Sequence, residues 1–121
     1  MLKENLINKG NVVISDDVIS TIIKTAALEV EGVAEIASNI SKFKEVLNKK
    51  EFKGISFNNN EDGLSVSISL ALYYGQNIIE LSKRVQSKVK EAIENMTGAS
   101  CANVDINVMD IIIKDSVVVK E

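Results

Sequence analysis

The chain has 121 residues, 26% charged and 45% hydrophobic, with a formal net charge of −3; this suits one domain with a single core and argues against a dedicated nucleic-acid binder. It has no His, Pro or Trp and one cysteine, Cys101, which excludes an intramolecular disulfide and thiolate zinc sites and removes the commonest general base. Residues 1–10 lack the apolar core of a signal peptide, and no apolar run nears the ~20 residues of a membrane span, so the expectation is a cytoplasmic protein without direct membrane insertion.

In chain order, residues 1–9 are polar and read as a flexible arm. Val12, Val13 and Ile14 predict a short strand. Ser15 is placed to accept a hydrogen bond from the first turn of the next helix, where Asp16 and Asp17 complement the positive end of its dipole. Ile19, Ile22, Ile23, Ala26, Ala27 and Val30 keep the helical step, and Gly32 ends the helix. Residues 33–50 leave two readings open. One is a short helix on Val33, Ile36, Ala37 and Ile40 with a second on Phe43, Val46 and Leu47; the other is a loose connection with a few anchors. Lys42, Lys44, Lys49, Lys50 and Lys53 form a basic cluster here, read first as solvated surface and second as a phosphate or partner contact.

Ile55 and Phe57 share one face of a short strand. The turn-rich stretch ending in Asp62-Gly63 then predicts a hairpin. Leu64, Val66, Ile68, Leu70, Leu72 and Tyr74 alternate with Ser65, Ser67, Ser69, Ala71 and Tyr73, the period of a half-buried strand. After Gly75 the period changes: Ile78, Leu81, Val85, Val89, Ala92, Ile93 and Met96 line one stripe of a long helix that Gly98 stops. Asn77 is placed to cap it, with Glu80 three residues on. Val104, Ile106 and Val108 mark the last strand, whose alternation breaks at Met109-Asp110 and predicts a bulge or sheet edge. Val117 to Val119 suggest a short extra strand or a contact with a neighbour. The predicted order is β-α-(helical or loose segment)-β-β-α-β. That is an α+β two-layer sandwich, a mixed sheet with two main helices on one face, over residues 10–113 with a tail at 114–121.

Catalytic readings find little support in these residues. Asp16-Asp17, Glu29/Glu31 and Glu61-Asp62 sit at a helix start, a helix end and a turn, with no nucleophile or second base beside them. The 58–62 stretch lacks the pattern of a calcium loop, and no metal site or cofactor is expected. Cys101 reads as a small core residue. Lys83, Arg84, Lys88 and Lys90 are diluted by Glu80, Glu91 and Glu94 and have no aromatic residues between them, so no clear nucleic-acid platform emerges.

Several stretches, in order, resemble the alkaline shock protein family of Gram-positive bacteria, the envelope or general stress proteins. These begin with Gly10-Asn11-Val12-Val13-Ile14-Ser15, Val18-Ile19, Ala26-Ala27 and Glu29-Val30-Glu31-Gly32-Val33, followed by Lys53-Gly54-Ile55. The most distinctive are Tyr74-Gly75-Gln76-Asn77-Ile78-Ile79-Glu80 and Val85-Gln86-Ser87-Lys88-Val89-Lys90, continued by Ile93-Glu94-Asn95-Met96-Thr97-Gly98 and Val104-Asp105-Ile106-Asn107-Val108. The resemblance implies a non-enzymatic protein, in some members held at the membrane by an anchored partner of the same family and able to self-associate. In other members it implies a link to lipid metabolism genes. The chain departs from the family pattern at Asp110, where glycine is frequent, and lacks the membrane segment of the anchor-type members.

The expected function is a stress-response scaffold acting as a homo-oligomer and through protein partners. The alternatives are a regulatory ligand-binding module linked to lipid metabolism, or a weak nucleic-acid binder. The expected contact surfaces are the long helix, through Lys83, Arg84, Lys88 and Glu91, and the corner formed by Tyr74, Gly75, Gln76 and Asn77.

Overall fold

The computed structural model describes residues 12–37 and 54–113. Ser15 opens α1 (Asp16–Leu28), its Oγ accepting from the Val18 amide at 3.3 Å. Ile22, Ile23, Ala26 and Ala27 form the buried stripe, and Ile19 and Val30 pack against it half-buried. The helix ends at Leu28, before Val30, and a turn through Gly32 (φ +104°) redirects the chain.

Two expectations fail on either side of α1. Val12 and Val13 form no strand and are 82% and 87% exposed; extended backbone gains little without a neighbouring strand to pair with. After Gly32, Val33 and Ile36 fit neither open reading, helix or loose connection, but belong to β1 (Val33–Ile36), antiparallel to the central strand. Their three-residue spacing suits a helix, yet pairing and burial on the sheet override so short a local pattern. Ile40, Phe43, Val46, Leu47 and the five-lysine cluster lie outside the described residues, as do the arm at 1–9 and the tail at 114–121.

β2 (Ile55–Asn60) and β3 (Gly63–Tyr73) form the expected hairpin, with Asn60 opposite Gly63. On β3, Leu64, Val66, Ile68, Leu70 and Leu72 are buried, while the three serines between them are half-buried on the opposite face. Tyr74, expected on the buried face, is 71% exposed, because β3 ends at Tyr73 and Tyr74 begins the turn.

The chain then enters α2 (Ile78–Thr97). Leu81, Val85, Val89 and Ile93 are completely buried, and Gly98 stops the helix in the left-handed conformation at φ +80°. The ends of the expected stripe, Ile78 and Met96, are exposed, since the terminal turns lie outside the packed centre. β4 (Cys101–Ile112) runs parallel to β3, a pairing that requires a crossover such as α2. Its register slips between Val108 and Asp110, where the alternation predicts a bulge, and again between Cys101 and Asn103.

The four-stranded sheet is therefore mixed, with the two helices sharing its apolar face, as the class predicts. β3 is central. β4 takes one edge, and β1 and β2 lie end to end along the other. Ser69 is the seam: its N–H donates to the Gly54 carbonyl and its carbonyl accepts from the Ala37 N–H, both at 2.8 Å.

Candidate functional site

The corner between β3 and α2 is built largely by backbone needs. Tyr74 N–H donates to the Ile112 carbonyl at 2.8 Å, tying the turn to the end of β4. Gly75 adopts φ +100°. The Asn77 Oδ1 accepts from the Glu80 amide at 3.0 Å, the cap its spacing predicts. Gln76 lies over the turn after α1: a Cβ added to Gly32 would stand 3.0 Å from Gln76 Oε1 and 2.9 Å from Leu81 Cδ2. Gly75, Gln76 and Asn77 thus each have a task in the fold, and Tyr74 alone of the four presents a large exposed apolar side chain.

The other expected contact residues converge. Lys83, Arg84, Lys88 and Glu91, with Ser87, line one flank of α2 and face Glu29, Val30 and Glu31 at the end of α1. Together they border an open groove of about 560 Å³. Lys88 Nζ stands 3.4 Å from Glu29 Oε1, with both side chains about half exposed, so this pair adds at most about 1 kcal/mol to stability. Three cations and three carboxylates share this rim, a balanced surface of both signs. The sequence marks the α2 residues by their helical spacing. It gives no sign that Glu29 and Glu31 stand opposite them, because that proximity comes from the packing of α1 on α2.

The opposite flank of α2 holds two residues missing from the expected site. Gln86 Nε2 donates to the Val104 carbonyl at 2.9 Å, and a Glu94 carboxylate oxygen accepts from the Cys101 N–H at 3.0 Å. Both close main-chain groups of β4. The Cys101 N–H, followed by Lys90 at 3.5 Å, holds the Glu94 carboxyl below its ordinary pKa. A carboxylate depressed in the folded state stabilises above its unfolded pKa and loses that contribution as pH falls through the folded value. Glu94→Gln is therefore expected to flatten the fall in urea midpoint below pH 4.5 relative to the parent chain, measured between about pH 6 and pH 3.

Cys101 itself is buried, and burial followed by the nearby Glu94 charge pushes its thiol pKa up. A thiol held protonated is a poor nucleophile. Among the described residues no group of three or more His, Cys, Asp or Glu side chains is arranged to hold a metal. The space between helices and sheet is filled by Ile23, Ile68, Leu70, Leu81, Val85 and Val89, all fully buried.

Comparison with known proteins agrees with the order of motifs in the sequence. Residues 4–113 match the profile of the alkaline shock protein 23 family, described as having a cell envelope-related function. An uncharacterized protein of Streptococcus pyogenes, Spy1614, is 33% identical over 106 residues, covering 84% of this chain and 88% of that one. The uncharacterized protein YqhY of Bacillus subtilis is 29% identical over 107 residues, covering 84% and 77%. Among solved structures, a MamM-CTD chain aligns with a TM-score of 0.49 at 10% identity, covering 79% of this chain and 98% of that one.

Proposed function

The chain belongs to the alkaline shock protein 23 family, of cell envelope-related function, and on that premise we propose that it is a non-enzymatic stress-response scaffold working by self-association through the groove between α2 and the end of α1. The observation that carries this reading is the charge pattern of the groove rim. In a two-fold interface each surface patch meets its own copy, so it must complement itself. A rim with Lys83, Arg84 and Lys88 on one side and Glu29 and Glu31 on the other meets that requirement. Rotated by a two-fold axis, the cations of one copy face the carboxylates of the next. No helix among the described residues is long and apolar enough to cross a membrane, so a role at the envelope is proposed to depend on a partner anchored there.

The test is the mass of the purified chain across concentration, by light scattering behind a sizing column. The parent chain is expected to grow into dimers or larger species, and to do so less at high salt. Arg84→Glu with Lys88→Glu is expected to weaken association by about tenfold or more while leaving the far-ultraviolet spectrum unchanged. Glu29→Lys with Glu31→Lys is expected to do the same. Mixing the two double variants restores association, because each reversed patch then meets its reversed complement. A strict monomer at every concentration, or unaltered association in both variants, overturns the reading.

A further inference from the structure

We propose that the later half of the outer edge of β4, together with an apolar end formed by Tyr74, Ile79, Ile111 and Ile113, docks an extended apolar peptide segment flanked by Lys or Arg, which joins the sheet as a further strand. Among the described residues β4 pairs with β3 alone, and none of them supplies a strand to its other edge. α2 closes only the first part of that edge, through Glu94 on the Cys101 N–H and Gln86 on the Val104 carbonyl. Glu94, Gln86 and Ile79 succeed one another at steps of about two helical turns, so they follow one flank of α2 toward the end of β4. The third position in that series is an isoleucine, 65% exposed, with nothing to donate or accept.

Past Val104, β4 carries none of the lysines, arginines or prolines that commonly blunt an edge. Asp110 accepts from the Ile111 N–H at 2.8 Å, a local bond that an incoming carbonyl can replace. Ile111 is 38% exposed and Ile113 54%, and Tyr74 is tied beside them by its bond to Ile112. An apolar end next to an uncapped strand edge is the combination that strand addition uses: main-chain bonds for affinity and pockets for alternate side chains.

Charge selects the occupant. Residues 73–82 and 101–113 contain Glu80, Asp105 and Asp110 and no Lys or Arg; Lys90, which borders the edge beside Asp105, is paired with Glu94 at 3.5 Å. A second copy paired here would set acid against acid, whereas a basic-flanked segment complements the surface. This surface lies on the opposite flank of α2 from the groove proposed for self-association, and the two stand or fall separately.

The test is a fluorescein-labelled Lys-Val-Thr-Val-Ile-Val-Lys peptide titrated with the full chain and read by anisotropy. Saturable binding is expected, weaker by about tenfold in Ile79→Lys and in Asp110→Lys, and unchanged in Lys24→Glu, at an exposed position on α1. Hydrogen exchange is expected to be fast at the β4 amides past Val104 that point away from β3 in the chain alone, and slowed by the peptide. Absence of saturation, equal binding of a Glu-flanked peptide, or unchanged affinity in both edge variants overturns the proposal. So does slow exchange of those amides without peptide: independent of protein concentration, it assigns the edge to another part of this chain, and growing with concentration, to a second copy.

Discussion

Ile68→Ala is expected to lower the free energy of unfolding by about 2–5 kcal/mol. Ile68 is fully buried at the middle of β3, opposite Ile55 of β2 on one side and Ile106 of β4 on the other. Truncation removes its apolar contacts and leaves a cavity between the sheet and the helices. The backbone cannot close that cavity, because β3 is held on both edges. Native domains are stable by only about 5–15 kcal/mol, so this one substitution removes a large share of the total. In a urea titration followed by circular dichroism, the midpoint is expected to fall sharply with little change in slope, since the surface exposed on unfolding is nearly the same. Ile79→Ala, at a residue 65% exposed, is the matched control and is expected to stay within about 0.5 kcal/mol of the parent. Equal losses at the two positions would contradict the placement of β3 at the centre of the core.

The second large effect is expected at Gly54, where β1 and β2 meet along β3. Gly54 has φ +75°, and a Cβ built there would overlap the Ala37 carbonyl oxygen and stand 2.5 Å from Ile36 Cγ2. Gly54→Ala therefore meets two penalties. The left-handed conformation costs roughly 1–2 kcal/mol for a residue with a Cβ. The steric conflict adds to that, because its main obstacle is backbone rather than the movable tip of a side chain. Gly75→Ala separates the two: Gly75 has φ +100°, but a Cβ added there would meet nothing within 4 Å. Gly75→Ala is expected to show the conformational penalty alone and Gly54→Ala clearly more, with amide exchange at Ala37 and Ser69 rising in the latter. Similar losses in the two variants would mean that the seam at Ser69 yields easily.

Much of the molecule is legible in its sequence because the main elements advertise their own geometry. Leu64 to Leu72 alternate strictly, and Leu81, Val85, Val89 and Ile93 recur at helical steps; these patterns predict β3 and the buried stripe of α2, and all of these apolar residues are buried. The Ser15 and Asn77 caps, the Gly98 stop, the hairpin before Gly63 and the slip at Met109-Asp110 are equally local, each depending on a few neighbouring residues. Expectation and structure part where a segment is too short to set its own conformation. Three apolar residues at 12–14 predict a strand that is absent, and Val33 and Ile36 suit a helix yet form a strand. On the candidate surface, helical spacing groups Lys83, Arg84, Lys88 and Glu91 on the long helix, and the structure brings them to one groove.

By itself, then, the sequence determined the α+β class, the two principal elements and their buried faces, because periodicity and capping are properties of neighbouring residues. Only the tertiary structure decided what lies beside what: Glu29 next to Lys88, Gln86 and Glu94 on the edge of β4, and β1 joined end to end with β2 at Ser69. Those contacts depend on α1 packing on α2 and on α2 carrying the chain across to a parallel strand. The positions of whole elements relative to one another are set by burying their apolar faces together, and no local pattern records them.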